Sequence, residues 1–470
     1  MKLLLEFKKN KYYKLALISL LNYNYYRKTR RFLLKTKSHT QEEIVKNQII
    51  KIRDLLIYAN NNVPYYTEVF KKEHISPEKF NSLNDITFIP FLDKEIVRNN
   101  VEKLISLKAS HKHLRKITSG GTTGMPINFY NDVRYSSPVE MAYIEFLWSR
   151  IGFKLYDKVL VLRGEHLSVV EGQKYWKMNW ILNWLSMSSF HMNDNTIKIY
   201  AEKIDSFRPK YIMAYPSVAL LLAKLYERNS LRPPSSIKAI ILSSESINKS
   251  HRNLIEKVFN SVTFDHYGLS EKCCIAVENL QTGNYEFAPY YGFVELLNKD
   301  NQWCSKENER GEIVATGFNN YAFPFIRYRT NDIAISALND NPDNGWFKIK
   351  SIAGRKQDFL IDKNNNLISF VCHDEPFYCL NDKVDAYQFI QNEPGKIKVL
   401  LECKSNFSSE DLEKLHKLLL EYYNNFDIQF EQTNMIEKTI SGKFKFLIQS
   451  LPYNTIIALW LFKALLITLF

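Results

Sequence analysis

The chain has 470 residues, 45% of them hydrophobic and 24% charged, with 15 Gly, 15 Pro and a net charge of +13. That length predicts about two or three domains, and the balance is globular, which excludes a collagen-like, low-complexity or wholly disordered chain. Much of the positive charge lies near the start, from Lys8 to Lys37, interleaved with Tyr12, Tyr13, Tyr23, Tyr25 and Tyr26. Such a stretch reads either as a solvated helix face or as a contact for an anionic membrane surface. No nucleic-acid-binding motif accompanies it, so nucleic acid is not expected as a partner.

Residues 1–60 form a basic helical lead-in, with Val45, Ile49, Ile52, Leu55 and Leu56 at helical spacing. Asn60-Asn61-Asn62-Val63-Pro64 ends that run. A further helix is expected over Ile96–Ile105. Strands then alternate with helices: Lys158–Leu162, Tyr211–Met213, helix Val218–Glu227, Lys238–Leu242, helix 248–259 and Thr263–His266. This alternation predicts an α/β domain. Ligands in such sheets sit at the carboxyl ends of strands, where the polar segments after Met213, Leu242 and His266 would open together. Beyond 285 the pattern turns β-rich (Phe293–Leu297, Glu312–Thr316, Trp346–Ile349). A boundary falls at about 353. A small α+β unit follows, with strands Lys396–Glu402 and Asp427–Glu431 around a helix Ser409–Tyr423. The expected organisation is therefore a large multi-sheet N-terminal α/β domain over 1–353, a small mobile α+β C-terminal domain over 354–453, and an apolar tail over 454–470.

The tail reads TIIALWLFKALLITLF from Thr455 to Phe470, with Lys463 its one charge. It is shorter than the roughly 20 residues of a membrane span. It reads as packing against protein, a subunit contact or an interfacial anchor. No signal-peptide pattern opens the chain. The six cysteines, at 273, 274, 304, 372, 379 and 403, show neither a C-x-x-C pair nor zinc spacing. Reduced thiols in a cytoplasmic protein, peripheral at most to the inner membrane face, are the simplest reading.

Five polar motifs carry chemistry. Thr118–Pro126 reads T-S-G-G-T-T-G-M-P. Glycine admits close approach of a ligand to the main chain, successive N–H groups can form an anion nest, and the hydroxyls add donors. Alone, the segment is either a polyphosphate loop or a polar surface turn. It is not the Walker pattern, which ends in Gly-Lys-Ser/Thr. The others are Ser243-Ser244-Glu245, Asp265-His266-Tyr267-Gly268-Leu269-Ser270-Glu271, Tyr328-Arg329-Thr330-Asn331-Asp332, and Gly354-Arg355 with Ser441-Gly442-Lys443.

Taken in order, these motifs resemble the adenylate-forming superfamily of acyl/aryl-AMP ligases, in its phenylacetate–CoA ligase branch and its CapK-like proteins. The resemblance spans roughly 50 to 450. It implies ATP as cosubstrate with Mg²⁺, a small-molecule carboxylic acid activated to an acyl-AMP, and CoA or another acceptor. Thr118, Ser119, Gly120, Gly121, Thr122, Thr123 and Gly124 would hold the β- and γ-phosphates, Thr122 acting in catalysis. Glu271 would bind Mg²⁺. Tyr267 and Gly268 would flank adenine, with Ser244 and Glu245 lining its pocket. Asp332 would accept from both ribose hydroxyls. Arg355 would approach the ribose or α-phosphate. Lys443 would bridge carboxylate and α-phosphate as charge develops. Arg163, after a strand, is a further candidate partner for a substrate carboxylate. Acid recognition is expected between Tyr135 and His191.

The chain departs from the family pattern in three places. Met125 stands where a basic residue is usual, and Gln357 replaces a hinge carboxylate. Leu360–Ser369 has no glycine where the ligases carry a Gly-rich thiol-acceptor stretch; a K-N-N-N hairpin-like turn takes its place. Thioester formation is therefore less expected than the family name suggests, and an amine, a hydroxyl such as a sugar's, or another carrier is an alternative acceptor. The CapK-like resemblance associates the chain with surface-polysaccharide biosynthesis. The alternative is a catalytically impaired nucleotide-binding scaffold of the same fold in a membrane-associated assembly.

Overall fold

The computed structural model describes residues 22–118, 127–163, 175–245, 247, 249–337, 346–355, 359–364, 367–369, 377, 380, 383–437 and 446–451. The chain divides into two compact units, with the main division between Ala353 and Gly354.

Among its described residues the lead-in contains two helices with a break between them. Helix α1 (Tyr23–Lys35) and α2 (Gln41–Asn62) are separated at residues 36–40. Thr40 opens α2 with a reciprocal cap: its hydroxyl accepts from Glu43 N while the Glu43 carboxylate accepts from Thr40 N. Pro64 opens α3 (Pro64–Lys72), at a position where a missing N–H costs nothing. The helix expected over Ile96–Ile105 is shorter and earlier. Helix α4 (Lys94–Asn99) is capped by Asp93 and stops at Asn100, with turns beyond.

A hairpin of β1 (Leu114–Thr118) and β2 (Asn128–Asp132) leads into α5 (Val133–Trp148). Next come β3 (Val159–Leu162), β4 (Trp176–Asn179), β5 (Trp184–Met187), α6 (Ile197–Phe207), β6 (Tyr211–Ala214), α7 (Pro216–Arg228), β7 (Ala239–Ser243), α8 (Lys249–Phe259) and β8 (Val262–Gly268). Strands β9 (Ile275–Glu278), β10 (Tyr285–Phe287), β11 (Gly292–Leu297), β12 (Arg310–Gly317), β13 (Tyr328–Ser336) and β14 (Lys348–Arg355) complete the run. The strand expected at Trp346–Ile349 is β14, displaced toward Arg355. One 12-stranded sheet orders these strands β11-β12-β13-β14-β10-β9-β8-β7-β6-β3-β5-β4.

Strands β3, β5, β6, β7 and β8 pair in parallel. Their apolar runs are buried along β3, β5, β6 and β7, as strands covered on both faces require. One core face joins Val161, Met213, Ile241 and Phe264 to Val139, Tyr143 and Trp148 of α5. A second core gathers α2, α3 and the antiparallel strands around Phe287, Phe325 and Tyr328.

In the second unit β15 (Phe359–Ile361) and β16 (Leu367–Ser369) form a hairpin, the turn that K-N-N-N predicts. Strands β17 (Val384–Glu393), β18 (Lys396–Cys403), β19 (Asp427–Thr433) and β20 (Leu447–Gln449), with α9 (Ser409–Tyr422), build a sheet ordered β19-β18-β17-β20. Phe389, Val399, Leu415 and Leu419 fill its core. Among the described residues no helix is long and apolar enough to cross a membrane. The tail over 455–470 lies outside them.

Candidate active site

Parallel pairing aligns Leu162, Ala214, Leu242 and Asp265 across β3, β6, β7 and β8. The segments after these strands therefore open at one edge of the sheet, as the α/β reading expects.

Tyr267 sits at the end of β8, and its hydroxyl donates to Asp332 Oδ2 at 2.8 Å. Burial, then the Asp332 charge, pushes the phenol well above its ordinary range, so it stays a donor. Asp332 is buried on β13, whose inward face carries Tyr328, Thr330 and Asp332 at alternate positions. Asn331 takes a left-handed backbone (φ 64°), and Asp332 N donates to Thr330 Oγ1 at 3.0 Å. This local turn fixes the direction of the carboxylate.

Glu271 lies in the turn after β8 and is also buried. Tyr328 donates its hydroxyl to Glu271 Oε1 at 2.9 Å. Burial raises the Glu271 pKa; the Tyr328 bond and the Lys94 charge oppose this, and Asp332 adds to it. Two glycines hold the turn in place. Gly292 and Gly317 face each other across β11 and β12. A Cβ on Gly292 would fall 1.9 Å from Cys273 O, and one on Gly317 2.8 Å from Cys273 Cα. Only bare backbone lets the 271–273 segment lie this close. Cys273 and Cys274 are buried free thiols.

Ser244 adopts φ 73° and accepts from Arg163 Nη2 at 2.8 Å. Glu245 accepts from Ser217 N at 2.9 Å, placing a carboxylate at the amino end of α7. Gly268 closes β8, and a Cβ there would stand 3.4 Å from His266 Nε2. Thr118 ends β1 opposite Asn128 and donates to its Oδ1 at 2.9 Å, which ties the two ends of the glycine-rich segment together. Ser119, Gly120, Gly121, Thr122, Thr123, Gly124, Met125, Gln357 and Lys443 lie outside the described residues. Arg355 ends β14. Lys443 belongs to the connection from β19 to β20.

Motif order did not single out His266, Tyr328 or Arg327. His266 Nδ1 accepts from Trp148 Nε1 at 3.0 Å, and burial, helped by Arg163, pushes the imidazole down to about 3. Tyr328 was readable from strand alternation with Asp332. Arg327, left-handed at φ 48° and buried, pairs with buried Glu295 at 3.2 Å and donates to the carbonyls of Thr87 and Ile89. It fastens the segment before α4, and so Lys94, beside the site. Of the expected acid-recognition aromatics, Tyr143, Trp148 and Trp184 are core, and Trp180 is 77% exposed.

The fold is a large α/β unit followed by a small α+β unit, with carboxylates at its strand ends. The profile of the CapK C-terminal domain matches residues 360–450. Protein CapK of Staphylococcus aureus is 27% identical over 402 residues, covering 84% of this chain and 86% of that protein. A phenylacetate–coenzyme A ligase of Aromatoleum evansii is 26% identical, covering 73% of this chain and 77% of the relative. The fold matches the crystal structure of 2-hydroxyisobutyryl-CoA ligase in its postadenylation state with an acyl-AMP, at a TM-score of 0.70, 14% identity, and coverage of 91% and 93%. These similarities support the adenylate-forming superfamily, in the branch of the CapK-like proteins and phenylacetate–CoA ligases.

Proposed function

We propose that this protein is an ATP-dependent acid ligase that converts a carboxylic acid to an acyl-adenylate with release of pyrophosphate, then passes the acyl group to an acceptor. The observation that carries the reading is the convergence of Tyr267, Asp332 and Glu271, linked by the Tyr267–Asp332 and Tyr328–Glu271 hydrogen bonds at the edge where the parallel strands end. The family relation supports it.

In this reading Asp332 accepts from the ribose hydroxyls with its orientation set by Tyr267, and Tyr267 borders adenine with Ser244, Glu245 and Gly268. Thr118 to Gly124 hold the β- and γ-phosphates. A divalent cation fits Glu271, because a buried carboxylate that resists ionisation gains from a cation sharing its charge. Mg²⁺ commonly uses only one or two protein carboxylates, with phosphates and water completing its shell. Bound there, it would neutralise charge on the phosphates. A carboxylate oxygen attacks the α-phosphorus, the bond to the pyrophosphate oxygen breaks, and Lys443 offsets the charge that develops between them. Arg355 supports the ribose or α-phosphate. Closure of the small unit would exclude water from the mixed anhydride.

The acceptor is CoA, an amine or a sugar hydroxyl. The glycine-free Leu360–Ser369 hairpin favours the latter two over CoA. The CapK-like resemblance supports participation in surface-polysaccharide assembly, and the basic lead-in and apolar tail would supply peripheral membrane contact. The test is acid-dependent ATP–pyrophosphate exchange over a panel of carboxylic acids. Exchange with at least one acid, lost in Lys443→Ala, is expected. Nucleotide binding without exchange for any acid would favour the scaffold reading instead.

A further inference from the structure

We infer that the acid carries a second oxygen-acceptor group, read by a row of donors across four strand ends; this rests on the acid-ligase reading above. Val161, Met213, Ile241 and Phe264 share one core face of β3, β6, β7 and β8. Side chains alternate along strands, so the residues two further on, Arg163, Tyr215, Ser243 and His266, continue that face. The register makes them neighbours: Leu162 pairs with Ala214, Ala214 with Leu242, and Ser243 with His266. An apolar sheet face thus ends in a guanidinium, a phenol, a hydroxyl and an imidazole.

Each of these groups is prepared to donate. His266 receives the Trp148 indole proton at Nδ1, so the neutral ring carries its own proton on Nε2. Gly268, lacking a side chain, leaves Nε2 open to approach. The Tyr215 phenol is raised by burial and stays protonated, with the Arg163 guanidinium 5.4 Å from its ring centroid. Ser243 is 7% exposed and its Oγ has no hydrogen-bond partner among the described residues. A buried hydroxyl left unpaired is destabilising, a cost that an oxygen ligand would remove. Among the described residues no carboxylate pairs with Arg163; its described contacts are Ser244, the Met213 sulfur, and the Tyr215 ring and hydroxyl. A cation and three neutral donors in one row suit a hydroxyl, carbonyl or second carboxylate oxygen, and they penalise a purely hydrocarbon chain.

His266 and Tyr267 are consecutive on β8 and point to opposite faces. Tyr267 serves the nucleotide side through Asp332, and His266 the donor row. A molecule lying across the end of β8 at Gly268 touches both.

The experiment compares matched acids, butyric against 3- and 4-hydroxybutyric and succinic, and phenylacetic against 4-hydroxyphenylacetic. ATP–pyrophosphate exchange and the melting shift given by each acid alone are measured with the full chain. At least one oxygenated acid should show a KM about ten-fold or more below its hydrocarbon counterpart, and only oxygenated acids should raise Tm. Arg163→Met should erase that preference. Ser243→Ala, which removes an unpaired hydroxyl and spares the fold, should weaken it several-fold. Equal or better use of hydrocarbon acids, or a preference untouched by both variants, overturns the inference and leaves the ligase reading standing. Melting shifts that obey the prediction without any exchange would support the donor row and overturn the ligase reading.

Discussion

At Tyr267, one hydroxyl ties the phenol to the carboxylate of Asp332. Removing it in Tyr267→Phe keeps the ring and loses one hydrogen bond to a charged group. The KM for ATP should rise about five-fold, an effect on the order of 1 kcal/mol, while the KM for the acid stays unchanged. Glu271 makes a sharper prediction. Its folded pKa is raised, so the stability it contributes is present below the ordinary carboxylate range and lost as pH rises through the raised value. Glu271→Gln, neutral at every pH and still able to accept from Tyr328, should raise Tm near neutral pH without nucleotide or metal. The same change should cut acid-dependent exchange about 100-fold or more. A lowered Tm would contradict the burial argument. His266 runs the other way. Its folded pKa, about 3, lies below the unfolded value, so its contribution is complete above about pH 6.5 and lost as pH falls toward 3. Between pH 6 and 5 that is a loss of about 1.4 kcal/mol from one proton. Denaturant titrations at several pH values should show His266→Gln removing that slope.

At the scale of elements, the site depends on two packing devices that hold backbone segments against the sheet. The Gly292–Gly317 pair lets the Glu271 turn lie flush on β11 and β12. Gly292→Ala should destabilise the fold by roughly 1–3 kcal/mol and weaken ATP binding, read by denaturation and by nucleotide titration. The Arg327–Glu295 pair, with side chains 5% and 1% exposed, fastens residues 87–89 to the start of β13. Arg327→Met strands a buried carboxylate and should cost about 3–5 kcal/mol. Neither device was legible in the sequence, because each depends on which strands become neighbours. A glycine at 292 reads as a turn until Cys273 is known to lie against it. What was legible was local. The strands around Leu160, Ile212 and Ile240 are continuous apolar runs, and the motifs at 244 and 267 follow strand signals. Helix α4 was overextended because Ile96–Ile105 stays apolar-periodic past the Asn99-Asn100 stop. Tyr328 was missed because the motif drew attention to Asp332 and away from the residue two turns of alternation earlier on the same face.

At the scale of the whole molecule, the adenylation proposal divides labour between the units. The first supplies Tyr267, Glu271 and Asp332, and the second carries Lys443 in the β19–β20 connection. Lys443→Ala should therefore leave ATP binding by the first unit intact while abolishing adenylation, a split that calorimetry and exchange together would detect. The most direct measurement of the central claim is isotope transfer from the acid. With the carboxylate of the accepted acid labelled with ¹⁸O, adenylation followed by acyl transfer leaves one labelled oxygen on AMP. Mass spectrometry should find that singly labelled AMP with the wild-type chain and none with Lys443→Ala. AMP formed without label, or ADP as the nucleotide product, would contradict an acyl-adenylate intermediate.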